Sequence, residues 1–105
     1  MKKIRFEITD DAEADYREAV NFYAQDNMET ARAFAREFRA VIALLRERPL
    51  LGTPHVHGTR KKVFTRFPFS LIYDVHPDRL AAIEVAHHSR DPDYWVNRVK
   101  RRRTE

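Results

Sequence analysis

Cysteine is absent from this 105-residue chain, and only two glycines occur in it. Without cysteine there is no disulfide framework, no thiolate-ligated zinc and no thiol nucleophile. Two glycines cannot build a Gly-rich phosphate-binding loop. No apolar run approaches the roughly 18 residues read as a membrane span, and Met1-Lys2-Lys3 leads into alternation rather than a signal-peptide core. The expectation is a cytoplasmic protein with no membrane contact and no cofactor. Acidic charge is scarce in the later half: residues 51–105 hold 11 Lys/Arg against 6 Asp/Glu, whereas residues 1–50 hold 9 against 10. The net charge of +4 is therefore carried by the second half. That suits an anionic partner, nucleic acid or an acidic protein segment, as well as ordinary solvation.

The hydrophobic content of 43% is that of a globular protein. The length predicts one domain, assigned to residues 1–99, with a basic tail at 100–105. Ile4, Phe6 and Ile8 alternate with Arg5 and Glu7, which predicts a half-buried strand. Thr9 can cap a following helix, with Asp10, Asp11, Glu13 and Asp15 complementing its dipole. Tyr16, Ala19, Val20 and Tyr23 mark its apolar face, and Asp26-Asn27 its end. From Glu29 to Glu47, Ala31, Phe34, Phe38, Val41 and Leu45 step by three and four, which predicts an amphipathic helix closed by Pro49. Arg32, Arg36, Arg39 and Arg46 lie away from the centre of that stripe.

After the turn-rich link Pro49 to Pro54 the period changes to two. Strands are predicted over Lys61 to Phe67, Phe69 to Val75 and Leu80 to His87, with tight turns at Pro68 and at His76-Pro77-Asp78-Arg79. The fold class is α+β in two layers: an N-terminal strand, an antiparallel helix hairpin, then a three-stranded antiparallel meander completing one sheet. Residues 92–99 read as a further helical turn.

Strand parity assigns faces. Ile83, Val85 and His87 share the side expected to meet the helices, whereas Glu84, Ala86 and His88 share the other. Val63, Thr65 and Phe67 form one set in the first meander strand, and Arg60, Lys62, Phe64 and Arg66 the other. Placed on an open face, the second set would make a basic groove beside His88 and Glu84.

With that order of elements, the chain resembles the RelE/ParE toxin superfamily, and within it the ParE-like, plasmid-stabilization branch. The resemblance is carried by the Ala/Phe segment Ala31 to Phe38, the Pro-x-x-Gly link Pro49 to Gly52, and Gly58-x-Arg60. It continues through the Phe-Pro-x-x-x-x-Tyr strand Phe67 to Tyr73, then His87-x-x-Arg90-x-Pro92-x-Tyr94-Trp95 with Arg98 beyond. It implies the toxin of a type II toxin–antitoxin module, neutralised by a cognate antitoxin with an acidic segment. ParE-like toxins poison DNA gyrase without evident enzymatic chemistry, which makes gyrase the lead target. RelE-like toxins cut mRNA on the ribosome, which is the alternative. A third reading is an inactive relative retained for antitoxin and operator binding.

Cleavage of RNA needs a base, an acid and phosphate-binding cations. His88, Arg66, Arg90 and Tyr94 are the candidates for those roles, but they do not align one by one with a nuclease set. Arg60, Lys62, Phe64, Arg66 and Arg90 are the candidate partner-binding residues. His87 reads as a strand-end support, and Tyr94 and Trp95 as a latch. His55-x-His57 and His87-His88 lack the carboxylate neighbours of a metal site, so no metal is expected.

Overall fold

The computed structural model describes residues 4–89. Strand β1 (Arg5–Ile8) leads into helices α1 (Asp10–Asp26) and α2 (Met28–Glu47), then strands β2 (Thr53–Pro54), β3 (Arg60–Val63), β4 (Phe69–Val75) and β5 (Arg79–His87). The strands form one sheet in the order β1-β5-β4-β3-β2. The meander β3-β4-β5 is antiparallel, while β1 joins it parallel to β5, pairing Arg5 with Arg79 through Ile8 with Ala82. The predicted α+β architecture is therefore the observed one, with a mixed sheet.

Local chemistry accounts for the hairpin. The Thr9 hydroxyl accepts the Ala12 amide at 3.1 Å, capping α1. Asn27 alone makes the break. Its amide donates to Tyr23 O, closing α1, while its side-chain oxygen accepts the Glu29 amide at 2.8 Å and opens α2. The α2 stripe Ala31, Phe34, Phe38, Val41 and Leu45 is buried, as its spacing predicts. Phe34 and Phe38 meet Tyr16, and Phe34 also meets Tyr23, Phe64, Phe67 and Phe69. Each such side chain contributes about 1.5–3 kcal/mol on burial. The end of α2 holds the edge strand: Ile4 N donates to Arg46 O, and Arg46 Nε donates to Ile4 O at 2.8 Å.

Three details differ from the sequence reading. Strand β3 stops at Val63, and Phe64 begins the turn, its amide bonded to Phe69 O at 2.9 Å. The link after Pro49 contributes the short strand β2 and a single 3-10 turn at Val56–Gly58. Gly58 lies in that turn with φ 74°, a left-handed conformation in which glycine has no Cβ penalty. Finally, the β4–β5 register slips: Ile72 faces Glu84 but Tyr73 faces Ala82, which leaves Ile83 as the extra residue of a bulge.

These details reverse the face assignment of β3 and of Ile83 in β5, while Val85 and His87 keep the side expected for them. In β3, Arg60 is opposite Tyr73 and Lys62 opposite Leu71, and both partners belong to the core beneath the helices. Arg60, Lys62 and Phe64 are thus on the helix side, because burying the Phe64 ring decides the orientation of the strand. The bulge puts Leu80, Ala82 and Val85 together in the core, whereas Ile83 packs with Ile72 in a separate cluster. Nor is the second face of the sheet open, since Ser70, Ile72, Asp74 and Glu84 on it are all buried. The expected basic groove of Arg60, Lys62 and Arg66 beside His88 and Glu84 is therefore not formed. The predicted turn at 92–99, the latch residues Tyr94 and Trp95, the tail, and candidate Arg90 lie outside the described residues.

Candidate functional site

Two places gather the motif residues. The first is the junction between the Pro49–Gly52 link and the sheet. The Tyr73 hydroxyl donates to Pro49 O at 2.9 Å and accepts the Gly52 amide at 3.0 Å. Arg60 Nη1 donates to Gly52 O at 2.7 Å and Leu50 O at 3.2 Å. A Cβ on residue 52 would stand 2.5 Å from the Tyr73 oxygen, so the site admits only glycine without rearrangement. Burial raises the Tyr73 phenol above its ordinary value, against the opposing pull of the Gly52 amide and the Arg60 charge. A neutral hydroxyl that both donates and accepts is committed to structure. Pro49, Gly52 and Arg60 join Tyr73, 21 residues beyond Gly52, in one hydrogen-bonded knot.

The second place is the end of the sheet where β5 finishes. His87 is half-buried and His88 exposed, as parity predicts. The His87 ring stands edge-on to Phe69 at 5.0 Å. Its Nδ1 accepts the Ser89 amide at 3.0 Å and lies 2.7 Å from Ser89 Oγ, which places the proton of the neutral ring on Nε2. His88 Nε2 lies 3.0 Å from Ser70 Oγ, and its amide donates to Pro68 O at 2.9 Å. That last bond sets the β3–β4 turn beside His88, and Arg66, exposed in the turn, comes to the same end of the sheet. Arg60, at the other end of β3, does not.

Two carboxylates position backbone beyond what the sequence suggests: Asp15, expected as a dipole complement in α1, and Glu37, which no pattern marks. Asp15 is buried, and its Oδ2 accepts the Val85 amide at 3.1 Å, on the edge of β5 beyond the last pairing with β1. Its spacing of three and four from Ala12 and Ala19, both buried, was the available signal. Glu37 reaches from α2 to accept the amides of Thr65 and Arg66, the latter at 3.1 Å, and so docks the β3–β4 turn on the helix. Nothing in the sequence marks that contact, because it joins residues 28 apart. Between α1 and the end of β5 lies a cleft of about 250 Å³, lined among the described residues by Asp15, Glu18, Phe22, Phe69, His87 and Ser89. In this cleft Asp15 is bonded to the Val85 amide and His87 Nδ1 to Ser89, and the Glu18 carboxylate lines the same space.

Among the described residues no group of three His, Asp or Glu side chains could hold a metal. Likewise no helix there is long and apolar enough to cross a membrane.

The architecture is a helix hairpin laid on a mixed five-stranded sheet. A chain of a solved structure, "Chromosomal ParDE TA system from P. aeruginosa", shares it with a TM-score of 0.72 over 81% of this chain and 96% of that one. At 20% identity that likeness concerns the fold alone. No curated protein sequence matches the chain. The family model described as ParE toxin of type II toxin-antitoxin system, parDE, matches residues 6–92, and the chain belongs to that family.

Proposed function

We propose that this ParE-type toxin arrests growth by binding a macromolecular target, with DNA gyrase as the lead, and that a cognate antitoxin neutralises it through an acidic segment. The observation that carries the reading is the use made of the motif residues. Arg60 and Tyr73 are bonded to the chain's own backbone, Phe64 is buried, and His87 supports the strand end. Residues spent on the scaffold are not available as acid, base or phosphate clamp. The acidic segment would meet cationic groups that remain accessible on β3 and its turn, Lys62 and Arg66. Purified toxin should inhibit supercoiling by purified gyrase, and cognate antitoxin should restore it. Normal supercoiling at saturating toxin would remove gyrase as the target.

A second reading rests on His88 and Arg66, which share one exposed end of the sheet. As an mRNA endonuclease, the protein would cut transcripts in codon phase on translating ribosomes. His88→Ala and Arg66→Ala would then abolish toxicity in folded protein. Intact transcripts after induction would reject it, and normal growth on induction would leave only antitoxin binding.

A further inference from the structure

We infer that the outer face of α2 is a binding surface for the phosphodiester backbone of a nucleic acid. Arg32, Arg36 and Arg39 are exposed and stand at i, i+4 and i+7, within an arc of about 60° on the helix. That arc lies opposite the buried stripe of Phe34, Phe38, Val41 and Leu45, so the row points straight away from the core. Its length is about 10.5 Å, over which a duplex carries about six phosphate charges.

The row is not neutralised by its own helix. Glu29 pairs with Arg32 at 2.7 Å, but both side chains are exposed, so a polyanion can compete for that arginine. Glu37, the carboxylate between Arg36 and Arg39 in sequence, is turned aside to the amides of Thr65 and Arg66. Among the described residues no carboxylate pairs with Arg36 or Arg39. The same Glu37 contact holds the turn carrying Arg66 against the flank of α2. Ala40 and Ala43 beside the row are exposed and small, leaving room for a backbone to approach. Exposed Met28 and Leu44 flank the arc near the two ends of α2, while the row itself is cationic, and a phosphate backbone requires no apolar anchor.

Full-length protein titrated into labelled duplex DNA and single-stranded RNA at several salt concentrations tests the assignment by fluorescence anisotropy. Binding should weaken steeply with salt. The double variant Arg36→Gln/Arg39→Gln should lower the log–log salt slope on DNA by about 1.8, and Arg36→Lys/Arg39→Lys should keep it. The control Arg5→Gln/Arg17→Gln removes equal charge elsewhere and should retain the wild-type slope. Tighter binding to duplex identifies DNA as the source, and tighter binding to RNA the other. Absence of binding at low salt overturns the assignment. So does an equal loss in the control, or stronger binding of polyglutamate than of either nucleic acid.

Discussion

Replacing Tyr73 by phenylalanine removes one oxygen from a fully buried ring, and with it the knot that ties the Pro49–Gly52 link to the sheet. The Gly52 amide, bonded in the interior, loses its acceptor, and a dry unpaired donor costs about 1–3 kcal/mol. Pro49 O is only partly buried and recovers some hydration, so its loss adds about 1 kcal/mol. The sum, about 2–4 kcal/mol, should lower Tm by roughly 10–20 °C in a domain of this size. Urea denaturation followed by circular dichroism should show the midpoint falling at unchanged slope, since Arg60 still holds the link through Leu50 O and Gly52 O. Gly52→Ala supplies the second arm of a cycle. Its Cβ would sit 2.5 Å from the Tyr73 oxygen and 2.9 Å from Cε1, so removing the oxygen relieves the worst contact. Gly52→Ala should therefore cost less in the Tyr73→Phe background than in wild type, with a coupling of about 0.5–3 kcal/mol. A loss below about 0.5 kcal/mol for Tyr73→Phe, or strict additivity of the pair, would refute the knot as a stabilising unit.

Three other perturbations test separate contacts. Asp15→Ala leaves the Val85 amide without its carboxylate and should destabilise by about 1–3 kcal/mol, with faster hydrogen exchange at Val85, whereas Asp15→Asn keeps an acceptor and should cost less. Glu37→Ala should accelerate exchange at Thr65 and Arg66 while lowering global stability by only about 0.5–1.5 kcal/mol, because water can replace the carboxylate at that exposed turn. Burial raises the Tyr73 phenol in the folded state, so its stabilising contribution is complete below the ordinary tyrosine value of 10.0 and is lost as pH rises through the higher folded value. Wild type should consequently lose stability above that pH more steeply than Tyr73→Phe, as measured by urea midpoints across the alkaline range.

Periodicity and capping carried most of the architecture. Thr9, Asn27 and the Ala31 to Leu45 stripe act where their chemistry predicts, because they work through neighbours three or four residues away. The strands β4 and β5 were legible from the change to a period of two between the turns at Pro68 and at His76 to Arg79. What could not be read was set by partners distant in sequence. The bulge at Ile83 inverts parity midway along β5, and no residue type announces it. In β3 and its turn each set carries an aromatic residue, Phe67 in one and Phe64 in the other, so only the packing of Phe64 against Phe34 decides which side faces in. The family signature was visible as spacing, but its physical meaning was not. Pro49, Gly52, Arg60 and Tyr73 become intelligible as one unit once the 21-residue separation of Gly52 and Tyr73 is closed by a hydrogen bond. Asp15 is the residue whose role was legible and not drawn, since its phase with Ala12 and Ala19 places it on the buried face.

The most direct test of the central claim, a toxin that acts by binding and not by chemistry, is a supercoiling assay with purified gyrase and purified full-length protein. Inhibition should persist in folded His88→Ala and Arg66→Ala variants, and the cognate antitoxin should reverse it for the wild-type toxin. Undisturbed supercoiling at saturating toxin, together with codon-phased transcript cleavage abolished by the same two substitutions, would contradict it.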